Sequence, residues 1–384
     1  MAYFDNAATT FPKPNIVYEF MCDFYKNSGA NAGRGHYGMA QSAGALIKDT
    51  RERIQKLLHC PAKQVVFTPT ATIALNIIIQ GLIKKGLRNI YISPFEHNAV
   101  TRTLHYFEEK GDIVVSKLHV NRDLGYDLER IRFQFDDIKP DLVIISHVSN
   151  VIGLVAPIEE IFAIAKEYKA YTVADMSQSA GLFDTNVGLN CFDFAVFAGH
   201  KTIYGPTGIS GFVMNPTIVL EPVLFGGTGF ESANQNMPMS LPERYEMGTG
   251  NIAGIAGLNA ALKWLDKHGI GNIWALEMQH RKRLLEIINR YDFLKIVGNN
   301  DEQKFVGIVS CIMEGISSDS AGAIFDRFGI SVRTGLHCAP LAHQFLGTYP
   351  AGTIRFSIGY FTSDEDFEAL EEALDGIDAL VNKF

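Results

Sequence analysis

The sequence predicts an α/β protein with a mostly parallel seven-stranded sheet covered by helices, followed by a smaller α+β unit. Three observations carry that expectation. Between positions 40 and 300, short β-branched runs alternate with longer stretches of helical period, the rhythm of strand–crossover–strand units. Several of the runs are apolar on both faces, as strands covered on either side must be. After Asn251 the alternation gives way to two long helical segments and a few short strands.

The seven predicted strands are Gln64–Thr68, Asn89–Ser93, Ile113–Lys117, Asp141–His147, Tyr171–Ala174, Phe192–Phe197 and Ile209–Met214. Leu46, Ile47, Ile54, Leu57 and Leu58 recur at helical spacing, and so do Ile158, Ile161, Phe162 and Ala165 behind Pro157. Beyond 251, helices are expected over 252–268 and 272–291, with strands near 305–313 and 352–357. Phe367, Leu370, Leu374, Ile377 and Val381 mark a closing helix, preceded by Thr362 and Glu365 at capping-box spacing. The expected division is a large domain over 15–250 and a small one made of 1–14 and 251–384.

Composition narrows the function. The 384 residues carry 34 Lys and Arg against 42 Asp and Glu, a net charge of −8. That balance disfavours nucleic acid and anionic membrane as partners. Five cysteines, at 22, 60, 191, 311 and 338, form no CxxC pair. A disulfide framework or structural zinc site is therefore not expected, and a reducing, cytoplasmic setting is. No apolar run approaches about 18 residues, and the opening MAYFDNAATT lacks the layout of a secretion signal.

In sheets of this kind ligands bind beyond the carboxyl ends of the strands. Thr70 follows the first strand as a candidate N-cap, so the amides of the next helix, with Thr72 beside them, could accept an anion or simply be capped. Asp175 ends a strand whose burial makes a carboxylate costly without a partner, whether a ligand or a salt bridge. Lys201 follows another strand, either as a desolvated amine nucleophile or with its head in solvent. Cys338 lies in a Gly/Pro-bounded loop near Arg333 and His337. It reads as a stabilised thiolate, an inert thiol, or a weak metal site with His337 and His343. An anion site, a carboxylate and a lysine are together what pyridoxal 5′-phosphate requires, and His97 could supply a flat ring against its pyridine.

The chain resembles the cysteine desulfurase/selenocysteine lyase family of class V aminotransferase-fold enzymes. The likeness runs through YFDNAATT at the start, NAGRG at 31–35, TATIALN at 70–76, EHNAV at 96–100, SNVIG at 149–153 and ADMSQSAG at 174–181. It continues in GHKTIYGPTGISG at 199–211, MGTGN at 247–251, RTGLHCAPLAH at 333–343 and GTIRFSIGYFT at 352–362. The pairing of GHK with RTGxHCA is the specific part and resembles the short-loop subgroup. The resemblance implies fold type I, pyridoxal 5′-phosphate bound to Lys201, and His97 stacked on its ring. Asp175 would face the ring nitrogen and Gln178 the phenolic oxygen. Ala71, Thr72 and His200 would hold the phosphate, with Thr249 contributed by the other subunit of a homodimer. Asn150 and Arg355, with Arg333 nearby, would bind the carboxylate of L-cysteine or L-selenocysteine. Cys338 would accept sulfur as a persulfide and pass it to an acceptor protein. The alternatives are a selenocysteine lyase, or a class V aminotransferase or β-eliminating lyase in which Cys338 is incidental. Ala198 departs from the family's frequent hydroxyl residue, as do Ile73 and Phe361 from its usual Glu and Asn.

Overall fold

The computed structural model describes residues 1–32, 35, 37–298 and 303–381. Gly33 and Arg34 of the NAGRG motif lie outside the described residues. All seven predicted strands form one sheet, in the spatial order Gln64–Thr68, Ser210–Met214, Phe194–Ala198, Tyr171–Asp175, Leu142–Ser146, Asn89–Ile92 and Val114–Lys117. Every pairing is parallel except the two made by Ser210–Met214, which runs against both of its neighbours. Two reversals cancel, so Gln64–Thr68 points the same way as the other five. Its carboxyl end, and those of the three central strands, open on the same side.

The sheet is apolar on both faces because both are covered. One face packs Val143, Ile145, Ala195, Phe197 and Val213 with Ile161, Phe162 and Leu258. The other packs Ile144, Val173, Val196 and Phe212 with the helix Ala71–Ile83, which carries no charged residue. Helix Ile252–His268 buries Ile255, Leu258, Leu262 and Leu265 in the first of these layers.

A second, antiparallel sheet has the order Arg333–Gly335, Thr353–Ser357, Ile308–Met313 and Leu294–Val297. Leu284, Ile287, Phe325, Phe367 and Leu370 of three helices close over it. The first residues of the chain join this region: Ala2–Tyr3 pairs in parallel with Ile330–Ser331, and Asp5 bridges to Ser357.

Two local expectations shift. The capping box of the last helix, Asp364–Val381, is Ser363 with Asp366 rather than Thr362 with Glu365. Ser363 Oγ accepts from the Asp366 amide at 3.3 Å, and Asp366 Oδ2 accepts from the Ser363 amide at 2.9 Å. The Thr362 hydroxyl is already engaged, accepting from Gly359 N at 2.9 Å to close the preceding turn. The strands Leu294–Val297 and Arg333–Gly335 are additional. The second is three residues long and lacks the β-branched run that announces a strand.

The turn after Phe194–Ala198 leaves no room for a side chain at Gly199. A Cβ at Gly199 would lie 2.4 Å from the carbonyl oxygen of Ile209 on the adjoining segment. Gly199→Ala should therefore push the strand ends apart and cost on the order of 1–3 kcal/mol. Urea unfolding of the two proteins measures this, and an unchanged midpoint would contradict it.

Candidate active site

A cavity of about 280 Å³ opens at the carboxyl ends of the strands. Ala71, Thr72, His97, Asp175, His200 and Lys201 line it from the large sheet. Asn150, Gln178, Arg333 and Arg355 complete the wall. Ten of the twelve site residues singled out in the sequence thus meet in one place. Thr249 is exposed and is not among the lining residues, and Cys338 lies just outside them, next to the lining residue His337.

Thr70 is the N-cap of the helix that follows the first strand. Thr70 Oγ1 accepts from Ile73 N at 3.2 Å, capping the helix and leaving the first-turn amides of Ala71 and Thr72 without intrahelical acceptors. Asp175 is buried, and its Oδ1 accepts from the Ser177 amide at 3.0 Å and the Ser177 hydroxyl at 2.5 Å. Its other oxygen, Oδ2, takes part in neither bond. Desolvation lowers the Lys201 amine to about 8; Asp175 opposes the shift, while Arg355 and Arg333 reinforce it. His97 caps the helix Asn98–Glu109 by accepting from Ala99 N through Nδ1 at 3.0 Å. Burial, with Lys201 beside it, brings His97 down to about 4, so the neutral ring carries its proton on Nε2. His200 falls to about 4 for the same reasons, and among the described residues its buried Nδ1 has no partner.

At the other end of the cavity Arg355 is almost fully enclosed on its strand. Its Nη2 donates to Asp5 Oδ1 at 2.8 Å and its Nη1 to the Asn150 carbonyl at 2.9 Å, and Nε has no partner among the described residues. The Asn150 side chain is turned to the neighbouring loop, where Nδ2 donates to the His337 carbonyl at 2.7 Å. Cys338 is exposed, and Arg333 Nη2 reaches its Sγ at 3.9 Å. His337 cannot supply a second positive charge there. Burial first, and then Arg355, His343 and Arg333, hold it down to about 2, so it is neutral.

Several contributors were not singled out as site residues in the sequence. Asp5 is one. Lys13 is another: its ammonium donates to Thr10 Oγ1 and the His200 carbonyl, both at 2.6 Å, and burial lowers it to about 7. Glu96, beside His97, is fully buried and accepts from Ser93 Oγ, Ser146 N and Ser146 Oγ. Each would be visible only once the fold had brought distant segments together.

A family profile described as Aminotransferase class-V matches residues 2–370. The chain belongs to the class-V aminotransferase family. A relative from Methanothermobacter thermautotrophicus, named a probable cysteine desulfurase, is 32% identical over 98% of this chain and 94% of its own. One from Haloferax volcanii, named cysteine desulfurase, is 29% identical over 98% of this chain and 89% of its own. The apo structure of a cysteine desulfurase from Thermococcus onnurineus NA1 superposes with a TM-score of 0.90 at 30% identity, covering 100% of this chain and 95% of that one. The fold is therefore fold type I, and class-V enzymes generally depend on pyridoxal 5′-phosphate. The donor set suits that group: free helix-start amides, a carboxylate with one oxygen uncommitted, a desolvated amine and an orphaned His200 Nδ1.

The charge balance at Lys201 is testable in the cofactor-free class-V chain. Reductive ¹³C-methylation followed by NMR titration should give Lys201 a midpoint near 8. Since Asp175 raises the amine and Arg355 lowers it, Asp175→Asn should move the midpoint down and Arg355→Gln should move it up. Shifts of the opposite sign would refute the assignment.

Proposed function

We propose that the protein is a pyridoxal 5′-phosphate-dependent cysteine desulfurase that converts L-cysteine to L-alanine and leaves the sulfur on Cys338. The observation that carries this reading is the exposed Cys338 thiol at the rim of the cavity, with the Arg333 guanidinium 3.9 Å from its sulfur. Nothing in amino-group transfer alone calls for a thiol there.

The cofactor would be held by the Ala71 and Thr72 amides and by His200 at its phosphate, with Asp175 at the ring nitrogen, Gln178 at the phenolic oxygen and His97 against the ring. When bound it supplies an aldehyde for covalent attachment and a sink for the electron pair released at the substrate α-carbon. The chain's own residues do the rest. Arg355, fixed by Asp5 and the Asn150 carbonyl, presents a guanidinium to the substrate carboxylate. Lys201, with its amine near 8 rather than at the usual lysine value, is a competent base for the α-proton at neutral pH. The Cys338 thiolate attacks the substrate sulfur: an S–S bond forms, the Cβ–S bond breaks, and the electron pair stays with the carbon fragment. Protonation of that fragment completes alanine.

Two further assignments belong to the same reading. Thr249, exposed and away from the cavity of its own chain, would meet the phosphate of a second copy in a homodimer. The exposure of Cys338 leaves its persulfide within reach of an acceptor protein.

Purified protein given L-cysteine should release alanine and carry persulfide in equal amounts. Cys338→Ala should keep the bound cofactor yet lose persulfide formation by roughly a hundredfold or more. Lys201→Ala should lose the cofactor label fixed by borohydride. Full persulfide formation in Cys338→Ala, or pyruvate with ammonia in place of alanine, would overturn the assignment.

A further inference from the structure

The two residues at the rim, His337 and Cys338, are consecutive and both left-handed, with φ of 47° and 57°. A pair of non-glycine residues there is strained and persists only where its surroundings hold it. Both of their carbonyls are tied down. Asn150 Nδ2 donates to the His337 oxygen at 2.7 Å, and the Asn98 amide, next to His97, donates to the Cys338 oxygen at 2.7 Å.

The third restraint is a side-chain relay. Ser310 Oγ lies 2.6 Å from the Val151 carbonyl and must spend its hydrogen on it. Thr353 Oγ1, 3.1 Å from Ser310 Oγ, therefore donates to Ser310. His337 Nε2, 2.9 Å from Thr353 Oγ1, must then donate to Thr353. Every hydroxyl in the chain has one direction available, so the imidazole has one tautomer and one orientation. Ser310 and Thr353 sit on the adjacent strands Ile308–Met313 and Thr353–Ser357 and are buried.

We propose that His337 is a positioning residue for Cys338: braced through Thr353 and Ser310, it holds the left-handed dipeptide that sets where the thiol stands at the cavity. This rests on the reading of Cys338 as the sulfur acceptor. A reactive group displaced by about 1 Å can lose up to a hundredfold in rate, and releasing the brace allows a displacement of that size.

The test uses the holoenzyme with L-cysteine. Thr353→Val keeps the shape and removes the hydroxyl. It should lower kcat for persulfide formation by about ten- to a hundredfold, with KM and the early cofactor absorbance change on cysteine addition unaltered. Thr353→Ser should restore the rate. As an independent pair, His337→Gln retains a donor near the Nε2 position and should stay active where His337→Leu does not; this pair decides the matter if Thr353→Val fails to fold. Unchanged kcat in Thr353→Val, equal losses in kcat and in the absorbance response, or a Gln variant no better than Leu would each overturn the proposal. None of these outcomes touches the sulfur-acceptor reading, which stands or falls on Cys338→Ala.

Discussion

A lysine amine withheld from water at the end of a strand buried on both faces is the constraint around which the site is arranged. Desolvation drives its charge down, and the Asp175 carboxylate keeps it from falling further. The same enclosure keeps the neighbouring imidazoles neutral: His97, His200 and His337 are all lowered. The fixed positive charge of the pocket therefore rests on the guanidinium groups of Arg333 and Arg355. A pocket built this way keeps two guanidinium charges beside neutral imidazoles and an amine that gives up its proton more readily than an exposed lysine.

Burying a guanidinium has structural consequences of its own. Arg355 is 1% exposed, and a buried cation without a partner would be strongly destabilising. Asp5 supplies the partner, which draws the first residues of the chain into the site. Their path is set by the pairing of Ala2–Tyr3 with Ile330–Ser331 and by the bridge from Asp5 to Ser357. The opening motif YFDNAATT thus contributes an ion pair with a residue 350 positions away, beside the bonds of Asn6 and Ala7 to Ser357.

How much of this could be read from the sequence follows from how local each signal is. The seven strands were legible because burial on both faces leaves runs such as VVF and LVII in the letters. Lys201, Asp175 and Thr70 were legible because each ends such a run or follows it within three residues. The cap of the last helix was misplaced by one residue, since Thr362 and Ser363 look alike until the turn at Gly359 claims the former. Asn150 reads in the sequence as a substrate ligand, whereas its amide is turned to the His337 carbonyl, a bond spanning 187 positions. The neutrality of His337 was equally hidden, because it depends on Arg355 and His343 arriving from other segments.

Glu96 shows what joins these pieces. Burial raises its carboxyl to about 7, although Ser93, Ser146 N and the Ser146 hydroxyl all donate to it. A buried carboxyl is tolerable where its lone pairs are met in this way, and an apolar residue in its place would leave the Ser146 amide unpaired. The Ser93 bond closes the turn that carries His97, and the two bonds from Ser146 clamp that turn to the strand Leu142–Ser146, which leads into Asn150. His97 is followed by the amide that holds the Cys338 carbonyl, and Asn150 holds that of His337. One carboxyl therefore sets the distance between the two groups from which the sulfur-bearing loop is suspended. His97 and the loop that carries the thiol are thereby tied to the same carboxyl.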